Sequence, residues 1–553
     1  MAEAITEMII PATYIEVRAE GLIGVSGIAT GNVGVVGTAS KGPVGTVAIL
    51  SSFSDARDLF GSPDPWGGGT QNELTLVRAL QQAFANGAST VHAVRCAAGG
   101  GAKGFLALPK STGPVVTLTA KTPGTWAGDV TVQVKAASGN AFVESPSQVA
   151  GTGGALQPLL PNIVDSPRNV VRVKKKPTGQ TSRLSLAVSG SPADGKAVVD
   201  ASGVLSFAAA DKPDEGDTVS AAYEVAKSAC RDIEIRYGNV KELYTVADAT
   251  DILADVGGTS TLVDVSIATG QDDSLPDTMT DPLPLAKGSN GEATTAADYT
   301  TALATLDAEP VNIVVLAGQG FSAAQAALLA HVENAENNGS DRIAVVGADG
   351  DDVPQVQANA DAVGDDRLIL VAPGIIATDL ASGVDVRLPA AYSAAAVAGL
   401  IASLAVQVSP TNKTLALSGL TTYYNDGQLK ALLTSRVLPL ERKSGIRVVK
   451  GITTDSGPFR QISVRRIVDY AKAGTRIGSL PYIGRLNNAR VRGAMQATLN
   501  GFLSDMVLNE ALTEFSVTVT ATREQEIAGV ALVTMLLKPT FSIDYIKVIM
   551  NLS

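Results

Sequence analysis

Glycines beside a lysine and a hydroxyl are the residues that grip phosphate, and the stretch GNVGVVGTASKGPVG, residues 31–45, holds all of them. A phosphate loop needs Gly-x-x-x-x-Gly-Lys-Ser/Thr spacing, so that backbone N–H groups converge on the anion while the lysine reaches the same oxygens. Here Lys41 follows Ser40 and precedes Gly42, and the glycines at 31, 34 and 37 recur every third residue. Neither the lysine motif nor Gly-x-Gly-x-x-Gly is present. The stretch predicts a strand, VGVVGTA, leading into a turn over residues 41–45, where Pro43 fixes φ and the glycines permit positive φ.

A second candidate, Gly318-Gln319-Gly320-Phe321-Ser322-Ala323, fits the dinucleotide fingerprint Gly-x-Gly-x-x-Ala between a predicted strand and a predicted helix. Its acids arrive late, at Asp349 to Asp352, and capping of the helix by Ser322 is the simpler use. Gly258-Thr259-Ser260 and Asp455-Ser456-Gly457 look like fragments of hydrolase sites, but a serine nucleophile needs a histidine base. The two histidines are His92, in a predicted strand, and His331, in an alanine-rich predicted helix. His-Glu-x-x-His and Cys-x-x-Cys are both missing. These residues predict no cofactor, no metal and no enzyme, against the competing reading of a dinucleotide-dependent or serine-type α/β enzyme.

Two cysteines in 553 residues exclude a disulfide framework and a four-cysteine zinc site. Cys96 closes the predicted strand TVHAVRC and Cys230 leads into DIEIRYG, so they bracket residues 97–229. If that stretch loops out of a domain, its ends must meet. Two buried reduced thiols, a Cys96–Cys230 bond at the neck of the insertion, and a bond to another subunit are the alternatives.

The elements that would position these residues are of two kinds. VNIVVLAG, DRIAVVGA and DRLILVAPG are nearly all-apolar strands separated by helical stretches, which predicts a parallel sheet covered on both faces. Residues 21–96 also alternate strand, helix and strand. From Gly99 the texture changes to Gly, Ser, Thr and Pro with short alternating runs such as VTVQVKA and RLSLAVSG, which predicts a β-rich domain. Helices are predicted around QISVRRIVDYAKAG and RVRGAMQATLNGFLSDMVLNEAL, then strands at FSVTVTA, VALVTMLLKP and FSIDYIKVIMNLS. The uncharged span 388–412 is rich in Ala and Ser and predicts a buried helix rather than a membrane span. Glu3 and Glu7 stand where a signal peptide would carry positive charge, so synthesis in the cytoplasm is expected.

A formal charge of −11 argues against direct nucleic-acid binding, but the charge is uneven. Twelve Lys/Arg stand against three acids between residues 441 and 492. That segment is either a solvated helix face or a surface for an acidic partner. Both ends of the chain are strand-like, PATYIEV and SIDYIKVIMNL, and such an end can add to a neighbour's sheet.

These residues resemble the contractile tail sheath proteins of bacteriophages and related contractile injection systems. GVVGTASKGPVGTVAILSSFSDARDLFG resembles the family's N-terminal signature. PGTWAGDVTVQV, from Pro123, resembles the start of its β-rich domain, with Ala127-Gly128-Asp129 a slight departure. LPAAYSAAAVAGLIA, SPTNKTLAL, VVKGITTD and PFRQISVRRIVDYA follow in the family's order. The resemblance implies an α/β and α+β multidomain chain: a subtilisin-like α/β central domain, a β-rich insertion domain, and a C-terminal α+β sheath domain with extended terminal arms. The implied boundaries are an N-terminal arm at 1–20, an α/β part of the core at 21–96, the insertion at 97–230, and the subtilisin-like domain at 231–400. The C-terminal sheath domain follows at 401–538, and an arm strand at 539–553.

The resemblance further implies hexameric rings of this chain stacked around an inner tube protein, meeting baseplate and tail terminator proteins at the ends, with no membrane insertion. Such a particle is assembled in the host bacterial cytoplasm and works as a tail or injection device outside the cell. Another viral assembly protein, such as a capsid component, is the remaining alternative. The arm strands are expected at Tyr14, Ile15, Glu16 and Val17 and at Ile543, Tyr545, Ile546, Val548 and Ile549. A tube-facing basic surface is expected at Arg465, Arg466, Lys472, Arg476, Arg485, Arg490 and Arg492.

Overall fold

Apolar strands with helices between them can satisfy their backbones only in a parallel sheet buried on both faces, and IVVL, IAVVG and LILVA form one. The computed structural model describes residues 27–68, 74–111, 113–291 and 293–550. They fall into two units. The first comprises Met1–Ala39, Val44–Ala98 and Ala293–Ser553, the second Ser40–Pro43 and Gly99–Glu292.

In the first unit a nine-stranded sheet runs Val47–Leu50, Thr90–Arg95, Asn32–Gly37, Ile313–Leu316, Ile343–Gly347, Leu368–Ala372, Leu438–Arg442, Ile446–Val448, Thr414–Leu415. Its centre, from Thr90–Arg95 through Leu438–Arg442, is parallel. Alternate residues feed two cores. Val33, Val35, Ile313 and Val315 face the helices Leu76–Ala85 and Ala390–Ser403, while Val36, Val314 and Leu316 face Ala296–Ala304, Phe321–Asn337 and Val353–Asp361.

The uncharged span forms the helix Ala390–Ser403, buried from Ala390 to Ile401 as its composition predicts. Its small residues allow close approach: a Cβ on Gly399 would lie 2.2 Å from the Ala83 carbonyl oxygen. Among the described residues no helix is long and apolar enough to cross a membrane.

The second unit is β-rich and has two cores. A seven-stranded sheet packs Val171, Val173, Leu184, Leu186 and Tyr223 into one of them. The other is closed by a four-stranded and a three-stranded sheet around Leu118, Trp126, Ile233 and Ile252. The insertion does not end at residue 230 as expected. Arg231–Tyr237 pairs with Thr131–Ala136 on one side and Val240–Val246 on the other, so this strand and everything up to Glu292 belong to the β-rich unit.

After the sheet, the first unit continues into the helices Ile462–Ser479 and Ala489–Leu508 and an antiparallel hairpin, Leu512–Thr520 with Leu532–Pro539. The helices meet at Gly474, where an added Cβ would sit 2.0 Å from Phe502 Cζ and within 2.6 Å of both flanking ring carbons. Gly474→Ala should therefore force the Phe502 ring out of its core. A loss of about 1–3 kcal/mol in chemical denaturation is expected, whereas Gly493→Ala, inside the second helix with open space around it, should stabilise by about 0.5–1 kcal/mol.

The last predicted strand is not formed. Residues 540–550 make no ladder, because the hairpin is two-stranded and this segment joins neither edge. The N-terminal arm residues Tyr14 to Val17 lie outside the described residues.

Candidate functional site

Both phosphate-loop candidates are occupied by the protein's own groups. Lys41 Nζ lies 5.1 Å from the Trp126 ring centroid and 4.8 Å from that of Tyr237, a cation–π arrangement that engages the lysine within the fold. Gly42 N–H donates to Thr122 Oγ1 at 3.2 Å, and Trp126 Nε1 donates to the Thr122 carbonyl at 3.1 Å. The turn is part of the β-rich unit.

At the start of helix Phe321–Asn337, Ser322 N–H donates to Asp349 Oδ1 at 3.0 Å and its hydroxyl donates to Oδ2. Asn359 Nδ2 donates to the same carboxylate at 3.1 Å, and a Cβ on Gly320 would lie 2.6 Å from it. Asp349 sits where a pyrophosphate would bind a helix N-terminus. Ser322 is thus not the cap it was expected to be. The helix takes its anion from the next strand end, the late acid of the fingerprint.

The histidines are paired with acids. His92 Nδ1 is 3.2 Å from Glu309, and His331 Nδ1 is 3.3 Å from Asp307 with its Nε2 3.0 Å from Arg342. Burial, then the Arg342 charge, lowers the His331 pKa to about 4, so at neutral pH it is uncharged. The Ser260 hydroxyl donates to Glu242 at 2.7 Å. Among the described residues no group of three His, Cys, Asp or Glu could hold a metal.

The Cys96–Cys230 bond is not formed. Both thiols are free and buried. Cys96 packs with Tyr299 and Val94 in the sheet's core, and burial pushes its pKa up to about 12. Cys230 lies in the core of the seven-stranded sheet and its Sγ donates to the Ala226 carbonyl at 3.2 Å. Each side chain is committed to a different core, which is the reason no bridge forms.

The basic segment is largely not a surface. Arg465 is 4% exposed, pairs with Asp366 and Asp469 at 2.7 Å each, and stacks over Phe459. Arg466 is 6% exposed and donates to the carbonyls of Thr30, Leu404 and Ala405. Lys472 bonds Glu336 and Asp341, and Arg476 bonds Asp341 and the Gly339 carbonyl. Arg367, 2% exposed, completes the network with Glu336, Asp341 and Asp469. Four expected tube-facing cations are instead a clamp from helix Ile462–Ser479 onto the sheet's loops. Arg492 is half-buried on Glu526 at 2.9 Å. Arg485 and Arg490 are exposed, beside Leu480, Ile483 and Leu486 at 60, 76 and 78%.

Sequence reasoning missed Arg367, Asp341 and Glu336. A signal was present: DRIAVVG and DRLILVA each place an acid–arginine pair just before a buried strand, where a charge needs a partner.

The C-terminal segment is the most exposed apolar feature among the described residues. Ile543, Tyr545, Ile546, Val548, Ile549 and Met550 are all 71–85% exposed. Two residues hold it: Lys450 Nζ lies 3.0 Å from Asp544 Oδ2 and donates to the Tyr545 hydroxyl at 3.1 Å, and Gln461 Nε2 donates to Asp544 Oδ2 at 3.3 Å. Burial opposes the Lys450 charge, but Asp544 and Tyr545 raise its pKa overall. The hairpin beside it keeps two open edges. Chemically this arrangement offers strand pairing and apolar burial.

Residues 292–454 match the phage tail sheath protein central domain and residues 454–553 the phage tail sheath C-terminal domain. The chain is 29% identical over 208 residues to a tail sheath protein of Mycobacterium phage Bxz1, an alignment covering 34% of this chain and 36% of that protein. It therefore spans about a third of that relative's length. The fold is similar to the sheath tail protein of Desulfitobacterium hafniense, with a TM-score of 0.58 and 16% identity over 96% of this chain and 100% of that one. The sheath tail protein of Listeria innocua gives 0.59 and 15% over 94% and 93%. The helical sheath of the anti-feeding prophage in its contracted state gives 0.50 and 12% over 99% of each chain.

Proposed function

We propose that this chain, whose residues 292–553 match the central and C-terminal domains of phage tail sheath proteins, is a structural, non-catalytic sheath subunit that polymerises as stacked hexameric rings around an inner tube. Contraction of that array drives the tube through a target cell envelope. The observation that carries this reading is the row of exposed apolar residues from Ile543 to Met550 beside a two-stranded hairpin with open edges. A segment of this kind is stable only when a neighbour's sheet or core covers it.

Terminal segments exchanged between subunits would keep the rings connected while each subunit turns as a rigid body. The central domain is subtilisin-like in this reading, supported by its parallel sheet with helices on both faces. The tube partner is met by the tip that carries Arg485, Arg490, Leu480, Ile483 and Leu486, since the other cations are taken up by partners within the subunit. Baseplate and terminator proteins bound the polymer, which assembles in the host bacterial cytoplasm.

Negative-stain electron microscopy of the purified full chain tests the proposal. Uniform hollow cylinders with an axial repeat are expected. Closed shells, or discrete oligomers at every concentration, would count against it.

A further inference from the structure

One face of the seven-stranded sheet is the core. The other is predominantly basic at its centre. In the register, Arg172 stands directly opposite Arg183 on one side and Ser220 on the other, Lys174 stands opposite Thr181 and Thr218, and Lys196 stands opposite Ser185. Arg172, Lys174 and Arg183 are exposed and Lys196 is half-exposed, while their sequence neighbours Val171, Val173, Leu184 and Ala197 point inward. Among the described residues none of these four cations has a hydrogen bond or ion pair. Of the acids at the margins of the sheet, Glu224 is engaged by Arg168 at 3.3 Å and Asp217 by Lys175 at 3.0 Å, while Glu144, exposed on the edge strand opposite Ala222, is among the described residues the single acid set against the four cations on that face. Like charges directly opposite on a sheet destabilise it, so the Arg172–Arg183 pairing costs the isolated subunit stability.

The same unit presents the complementary charge elsewhere. Asp272, Asp273, Asp277 and Asp281 are all exposed on one loop, and none of their carboxylates has a partner among the described residues. The loop is fixed by its backbone: Asp277 N–H donates to the Pro109 carbonyl at 2.9 Å and Met279 N–H to that of Val134 at 2.8 Å.

We propose that the basic sheet face is a docking surface for a second copy of this chain, which presents its acidic loop 272–281 to Arg172, Lys174, Arg183 and Lys196. Each subunit then gives its loop to one neighbour and its sheet face to another. A basic face cannot pair with itself, so the contact is face to loop; passed from one subunit to the next rather than closed about a two-fold axis, it propagates as a ring or helical array requires. It lies outside both matched sheath domains and adds an interface through the insertion. The inference rests on the polymerisation proposed above.

The test is a charge swap in the full chain. Arg172→Glu with Arg183→Glu forms the basic-face variant, and Asp272→Lys with Asp277→Lys the loop variant. Each alone should raise the concentration needed for polymerisation about tenfold at low salt. A mixture of the two should recover much of the loss. Thermal melting checks the folded subunit, and Arg172→Glu alone, which creates a cross-strand pair with Arg183, should melt no lower than wild type.

Wild-type polymer with neither variant affected would overturn the docking surface while leaving the sheath reading standing. Loss in the basic-face variant alone would mean that a different polyanion binds there, which also overturns it. If wild type forms no polymer, sedimentation velocity reads the same contact as weak self-association. A strict monomer at all concentrations would defeat both readings.

Discussion

A chain ending at Thr540 is expected to stay folded and monomeric at concentrations where the full chain polymerises. The residues removed include six apolar side chains at least 71% exposed, and their described contacts to the rest of the chain run through Lys450 and Gln461. Burying even two of them on a neighbour is worth about 3–6 kcal/mol, or a hundredfold or more in association. Loss of the Lys450 contacts should lower the melting temperature by about 2 °C or less. Ile543→Asp with Ile546→Asp separates strand exchange from simple chain length, and should reproduce the assembly defect. Unchanged cylinders from the truncated chain would remove the C-terminal segment from the assembly mechanism.

The second large effect concerns the clamp. Arg367→Met leaves Asp341 and Glu336 with fewer cations and Asp469 without one of its two, and a broken buried ion pair costs about 3–5 kcal/mol. Reversal of Arg465 and Arg466 to Glu should be worse. It sets two buried carboxylates against Asp366, Asp469 and three carbonyl oxygens, so the expected result is insoluble or unfolded protein rather than a folded subunit that cannot bind a tube.

The clamp also gives a pH signature. Hydrogen bonds from Arg367 and Lys472 hold Glu336 down at about 2, and those from Lys472 and Arg476 lower Asp341 despite its burial. Carboxylates depressed in the folded state stabilise it fully above their unfolded pKa and lose that contribution as pH falls through the folded value. Stability should therefore decline from about pH 4.5 toward pH 2. Asp469 runs the other way, because burial raises it, which makes the decline shallower than Glu336 and Asp341 alone would give. Arg367→Met should flatten the decline further in thermal melts recorded across that range. An acid limb identical to wild type would show that the network contributes little.

The parallel sheet was legible because IVVL, IAVVG and LILVA have nowhere to go but a doubly covered interior. The buried helix Ala390–Ser403 was legible from an uncharged run too rich in alanine for lipid. The fate of the arginines was not. Arg465 finds Asp366 and Arg367 finds Asp469 about a hundred positions away along the chain, and a count of local charge is silent about what stands opposite. DIEIRYG reads as a strand in either unit, and only its pairing with Thr131–Ala136 places it in the insertion. SIDYIKVIMNL has strand composition, but composition cannot supply the second strand.

The clamp has a mechanical reading. Helix Ile462–Ser479 is riveted by Arg465, Arg466, Lys472 and Arg476 to loops of the parallel sheet, across the junction between the two matched sheath segments. Tension applied to residues 541–550 enters the subunit by two routes, the hairpin ladder and the contacts of Asp544 with Lys450 and Gln461, and Lys450 lies two residues after the sheet strand Ile446–Val448. Load at the tail would pass to the nine-stranded sheet through short, parallel connections. In the proposed polymer the first unit would then act as a lever rather than a spring, with compliance residing in the links between subunits.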